Sequence, residues 1–202
     1  MIVTQGRLRG RKLYVKRGSG IRPTAQVVRK AIFDILGGWT EGKRVLDIYS
    51  GTGALGIEAA SCGAREVVFV ESNPEMLRIL RRNIVSLNLE NRCFYLAGRV
   101  PRILSELPAG GFDLILLDPP YCLKREEVEK VFLLFREAGA LKKTSIIVLE
   151  HAGREAMKGF AGYTVWKEKR YGQTTVTFFK PAKQAGEMDE EERANRSLSG
   201  NI

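Results

Sequence analysis

RVLDIYSGTGALGIEAA, residues 44–60, reads as a strand, a glycine turn and a helix in succession. The β-prone run 45–49 meets Gly51, Gly53 and Gly56, which allow positive φ and close backbone approach to a ligand. The helix that opens there points its free N–H groups into the same space. A small ligand is therefore expected beside Ser50, Gly51 and Gly53. Helix packing alone can also demand a small residue at the third glycine, so the neighbouring residues carry the decision.

Three neighbours favour a ligand with positive charge on a nucleoside. Asp47 stands four residues before Gly51, where its carboxylate would repel a dinucleotide pyrophosphate and attract the sulfonium and ammonium of S-adenosyl-L-methionine. That argues against a nicotinamide-dependent oxidoreductase. Glu71 ends a second apolar run at the spacing where an acid meets ribose hydroxyls in nucleoside-binding βαβ units. Its rival role is a helix N-terminal acid, since Asn73 and Pro74 follow. Finally, Asp118-Pro119-Pro120-Tyr121 directly follows FDLILL. The prolines stiffen the corner and remove two donors, so carboxylate and carbonyl oxygens project as acceptors suited to an amine, and Tyr121 offers a face for a planar base. Both motifs end strands of one sheet and are expected to converge on one crevice.

The 202 residues, 44% hydrophobic, suffice for one α/β core with appendages. Up to residue 182 the chain carries 30 bases against 18 acids, and this clustered excess predicts a polyanionic partner. Cys62, Cys93 and Cys122 are odd in number and lack metal-ligand spacing. That disfavours a disulfide framework or a metal site and fits a reducing cytoplasm. No apolar run has the length of a membrane span, and no signal peptide is read.

Residues 1–24 hold Arg7, Arg9, Arg11, Lys12, Lys16, Arg17 and Arg22 before the first acid, Asp34. With breaks at Gly6 and Gly10 they read as a basic hairpin or extended arm built for phosphates. Thr24 is expected to cap a helix to about Leu36, with Val28, Ala31, Ile32, Ile35 and Leu36 buried and Arg29 and Lys30 exposed; the helix would carry Arg22 and Arg29 towards the crevice. From residue 43 to 151, strands and helices alternate at the spacing of a doubly wound parallel sheet. Residues 163–169 and 174–180 alternate with period two and read as an antiparallel hairpin finishing it. The organisation is thus a basic arm and helix over 1–40, a main domain over 41–182 and an acidic, disordered tail over 183–202. On the helix 74–87, Arg78, Arg81 and Arg82 read mostly as a solvated face, with an RNA contact as the lesser alternative. His151 reads as a structural hydrogen bonder.

In order and spacing, GRLRGRKL, IRPTAQVVRKAIFDIL, LDIYSGTGALGIEAASCGA and LDPPY closely resemble the bacterial RsmD family of class I methyltransferases. The resemblance spans about residues 6–180. It implies a Rossmann-like, seven-stranded, mostly parallel sheet and S-adenosyl-L-methionine-dependent methylation of the N2 amine of a guanine in 16S ribosomal RNA, the partner being that RNA or the assembling 30S subunit. By position, Asp47, Ser50, Gly51 and Gly53 would line the methionine end of the cofactor and Glu71 its ribose. Asp118, Pro119 and Tyr121 would hold the amine, with Asp118 also near the cofactor. Arg7, Arg9, Arg11, Lys12, Arg22, Thr24 and Arg29 would face RNA. One departure concerns the adenine: Arg99 stands where relatives place an acid or amide, leaving backbone atoms for that contact. N6-adenine methylation and a non-catalytic RNA-binding role remain as alternatives.

Overall fold

Apolar runs on the central strands and apolar stripes of period 3.6 on the helices build two layers of helix around one sheet. The computed structural model describes residues 1–16, 23–100, 102–107, 111–119, 125–152, 159–160 and 162–182. The expected tail, Arg17, Arg22 and Tyr121 lie outside these residues. Strands β1 (Arg44–Ile48), β2 (Glu66–Glu71), β3 (Cys93–Ala97), β4 (Phe112–Leu117), β5 (Leu141–Ala152), β6 (Tyr163–Tyr171) and β7 (Thr174–Pro181) pair in the order β3-β2-β1-β4-β5-β7-β6. Among them β7 alone runs against the rest, pairing antiparallel with both β5 and β6. The expected mostly parallel sheet with its closing hairpin is present.

The helices are α1 (Pro23–Leu36), α2 (Ala54–Ser61), α3 (Pro74–Ser86) and α4 (Arg125–Glu137). One set of strand residues, including Val45, Phe69, Leu114 and Val148, packs with Val28, Ile32 and Phe33 of α1, Ile57 of α2 and Leu80 and Ile84 of α3. The alternate set, including Leu46, Val70, Ile115 and Leu149, packs with Val128, Phe132 and Phe135 of α4. Because successive strand side chains point to opposite faces, one apolar run supplies both cores. None of the helices among the described residues is long and apolar enough to cross a membrane.

Two expectations about the N-terminal part need correction. The first helix opens at Pro23, not at a capping Thr24; proline's fixed φ and missing N–H suit the first helical position, and Thr24 is the second residue. Arg29 is not exposed. It is 3% accessible, its Nε donates to Glu58 Oε2 at 2.8 Å and its Nη2 to the Ile2 carbonyl at 2.7 Å. Lys30, by contrast, is exposed as expected.

Glu58 anchors the whole arm. Fully buried on α2, its carboxylate accepts from Thr4 N–H (2.8 Å), the Thr4 hydroxyl (2.7 Å) and Gln5 N–H (2.6 Å) besides Arg29. The arm itself is a small hairpin: Ile2 bridges Lys12 antiparallel, Val3 N–H donates to Arg11 O and Gly10 N–H to Val3 O. Glu58→Ala would leave a buried guanidinium and three donors uncompensated. The expected cost is about 3–5 kcal/mol, read as a lower urea midpoint together with early proteolysis within residues 1–16. An unchanged midpoint would contradict the anchoring role.

Candidate active site

The strand order turns about β1 and β4: β2 and β3 continue on one side, β5 on the other, so the carboxyl ends of β1 and β4 open a crevice between diverging connections. Asp47, the penultimate residue of β1, is 1% exposed. Its Oδ2 accepts Gly56 N–H at 2.8 Å, while Oδ1 meets no donor among the described residues. Burial, the largest cause, pushes its pKa up to about 8; the Gly56 N–H opposes this, and the Asp118 and Glu71 carboxylates add to the rise. A buried carboxylate with one oxygen unpaired is costly to maintain and is built to receive a donor or a cation.

The turn after β1 is shaped around that acid. A side chain at Gly56 would put its Cβ 2.9 Å from Asp47 Oδ2 and 2.3 Å from the Phe69 ring, so only glycine lets the N–H reach the carboxylate. Gly51 has φ +55° and open space where a Cβ would stand. Gly53, with φ +82°, is packed differently: its missing side chain would fall 2.3 Å from Leu80 Cδ1. The left-handed φ and the packing of Leu80 each call for a glycine at this position.

The cavity, of about 200 Å³, is lined by Asp47, Tyr49, Ser50, Gly51, Thr52, Asp118 and Glu150, with Met1, Ala25 and Arg29 closing one side. Four of the predicted cofactor residues, Asp47, Ser50, Gly51 and Asp118, thus meet in one place. Glu71 stands behind the loop: Oε2 accepts Gly51 N–H at 2.7 Å, and Oε1 accepts Ser72 N–H and Asn73 N–H. Asn73, whose side chain accepts from Glu75 N–H and Met76 N–H, caps α3, and Glu71 accepts the N–H of that cap residue, so both the loop and the helix N-terminus engage this acid. Asp118 is exposed immediately after β4, and Pro119 beside it is buried.

Arg7, Arg9, Arg11 and Lys12 are exposed on the hairpin. Arg29 reaches the crevice wall as expected, but with its guanidinium engaged by Glu58. His151 binds Thr177 Oγ1 at 2.9 Å, a structural contact; burial, its largest influence, lowers its pKa. Exposed Arg99 follows β3. Among the described residues, no group of three or more His, Cys, Asp or Glu is placed to hold a metal.

Sequence reasoning missed Tyr49, Glu150, Glu58 and Asn83. Tyr49 sits in the left-handed region at φ +62°, an unfavourable conformation for an aromatic residue, and lines the crevice. The strand pattern hides it, because β1 ends one residue earlier than its apolar run. Ser50 N–H then donates to Val70 O and Gly51 N–H to Glu71, which bends the chain towards β2. Glu58 does carry a signal: it is a lone acid inside the otherwise small and apolar IEAAS.

This sheet order, with a glycine turn after β1 and an acid at the end of β4, is the class I methyltransferase fold. Within that class, the chain belongs to the family described as Conserved hypothetical protein 95, whose model matches residues 1–180. It is 29% identical over 189 residues to the ribosomal RNA small subunit methyltransferase D of Escherichia coli K12, covering 91% of each chain. Similarity to YlbH of Bacillus subtilis, named as a candidate rRNA methyltransferase, is 32% over 183 residues, covering 89% of this chain and 98% of that one. Among solved structures, the Escherichia coli candidate methyltransferase YhhF matches with a TM-score of 0.79 at 26% identity, over 91% of this chain and 99% of that one.

Proposed function

We propose that this protein uses S-adenosyl-L-methionine to methylate the exocyclic N2 amine of a guanine in small-subunit ribosomal RNA. The observation that carries the reading is the unpaired, buried Oδ1 of Asp47 in a crevice that also holds Asp118. The relatives' names point to ribosomal RNA of the small subunit, and the basic arm suits that partner.

The residues fit the cofactor. Asp47 would meet its cationic methionine end, Gly51 leaves room for backbone contact, and Glu71, which also holds the loop through Gly51 N–H, would accept from the ribose hydroxyls. When bound, the cofactor supplies an electrophilic methyl group on a sulfonium. The protein's own part is to position the amine. A guanine N2 lone pair is delocalised into the ring, so attack requires pyramidalisation. The Asp118 carboxylate and Pro119 carbonyl accept hydrogen bonds from the amine and favour that geometry, while Tyr121 supports the base. Orientation and fixed acceptors then provide most of the rate. The base must leave its stack to reach the crevice, with arm cations on the flanking phosphates.

The test is incubation with methyl-labelled cofactor and small ribosomal subunits from cells lacking the gene, followed by nucleoside digestion. Label in N2-methylguanosine is the expected result. Label in N6-methyladenosine would overturn the base assignment, and cofactor binding without any label would overturn the reaction on this substrate.

A further inference from the structure

Resting on the reading of RNA as substrate, a second feature of the arm extends that reading away from the crevice. Residues 10–16 lie along the exposed side of α3, and their position there is fixed by a buried amide. Asn83, fully buried on α3, accepts Tyr14 N–H at 2.7 Å and donates through Nδ2 to Tyr14 O at 3.1 Å and to Thr52 O at 2.9 Å. It therefore satisfies both backbone groups of Tyr14, as a neighbouring strand would, and ties them to the loop that lines the crevice. Arg11 Nη2 adds a long contact to Ser86 O at 3.4 Å.

Two open grooves meet at Tyr14. One, of about 530 Å³, runs beside Arg11, Lys12 and Ser86. The other, of about 690 Å³, runs beside Lys16, Arg78 and Arg82. Tyr14 is 41% exposed, and the Arg82 guanidinium lies 3.6 Å from its ring centroid, a cation–π contact that fixes the orientation of the guanidinium. The acid lining these grooves, Glu75, is paired with Lys16 at 2.8 Å. Arg78 and Arg81 are exposed and have no hydrogen-bond or ion-pair partner among the described residues.

A merely solvated helix face would need neither the Asn83 clamp nor a tyrosine beneath an arginine. What these contacts do is hold like charges close together, at an electrostatic cost that a polyanion removes. Arg78 and Arg82 are four residues apart on one helix face, roughly 6 Å at their bases, an interval comparable with that between neighbouring phosphates of an extended strand. Guanidinium forks bind phosphate oxygens bidentately.

We propose that the groove between residues 11–16 and α3 is a track for the sugar-phosphate backbone of an RNA strand, distinct from the crevice that takes the target base. Because Asn83 bonds both Tyr14 and Thr52, the track and the cofactor loop are held in one fixed relation, which sets the distance from docked backbone to reacting base.

The test uses the full chain and a fluorescein-labelled 20-nucleotide single-stranded RNA, with anisotropy titrations across a salt series. Wild type is compared with Arg78→Gln/Arg82→Gln and with Arg78→Lys/Arg82→Lys, and cofactor affinity is measured in parallel by calorimetry. The glutamine pair is expected to weaken RNA binding about tenfold at low salt and to flatten the logarithmic salt slope by about 1.4, the value for two single-strand phosphates. The lysine pair, which keeps both charges but not the forks, should restore the salt slope and only part of the affinity, and cofactor affinity should stay within twofold throughout, which shows that the fold is intact. Wild-type affinity and slope in the glutamine pair would overturn the track while leaving the substrate reading in place. Failure of the wild type itself to bind RNA would overturn both.

Discussion

Asp47→Asn is expected to make the protein more stable and to remove cofactor binding at the same time. The substitution keeps the volume, and an amide oxygen can still accept Gly56 N–H. What disappears is a charge that the fold stabilises poorly: burial is the main cause of a pKa near 8, with the carboxylates of Asp118 and Glu71 adding to it. The unfolded chain releases that proton near pH 3.8, the ordinary value. Between these pH values the native state holds more protons than the unfolded state, so wild-type stability from this group falls as pH rises through the window.

Asparagine, which mimics the protonated acid, should therefore change little below pH 4 and gain progressively up to about pH 8. The gain at pH 8 is on the order of 2–4 kcal/mol, or roughly 5–15 °C in Tm for a chain of this length. Cofactor affinity should fall at least about 100-fold, because a cation loses its buried counter-charge. Thermal melts at pH 5 and 8, with and without S-adenosyl-L-methionine, separate the two effects. A variant less stable at both pH values that still shifts with cofactor would contradict the assignment. In the wild type, binding at pH 7 should release a proton, since the bound cation favours the carboxylate. Affinity should accordingly rise with pH until the free acid is ionised, near pH 8. Calorimetry in buffers of different ionisation enthalpy reads this directly.

The same residue explains why so much of the molecule was legible in advance. Strand segments such as LILL (114–117) and VVFV (67–70) are apolar without a break, as strands covered on both faces must be, and the glycine turn between strand and helix follows from local chemistry. Position along the chain was enough to bring Asp47 and Asp118 to one crevice, because the parallel alternation leaves little freedom in the strand order near the switch point. What was not legible depends on contacts across long sequence separations. Arg29 looks exposed when its helix is read alone; Glu58, 29 residues later, buries it. At Gly53 the sequence shows the turn but not the packing of Leu80 from the next helix against it. Asn83 reads as one more polar residue on α3, and its role appears only once Tyr14, 69 residues earlier, is laid against it.

Asp118→Ala is expected to lower turnover by about 10³-fold while cofactor affinity changes only a few-fold, the loss typical of removing a fixed hydrogen-bond partner for charge that develops in the transition state. The two acids of the crevice should behave differently because their surroundings differ. Asp47 is sealed beneath the turn, whereas Asp118 stands exposed just past the end of β4, where solvent weakens its long-range field. On the proposed reading its leverage is therefore greatest on an amine in direct contact with it, and smallest on a cation over Asp47. Asp118→Asn sharpens the test. An amide oxygen can still accept one hydrogen bond but carries no charge, so a variant intermediate between wild type and alanine would assign part of the effect to the acceptor and the rest to the charge. Single-turnover methylation of small subunits, with cofactor affinity measured by calorimetry, gives both quantities on the same preparations. Turnover equal to wild type in the alanine variant would remove Asp118 from the chemistry. A parallel collapse of cofactor affinity would move its role from the amine to the cofactor.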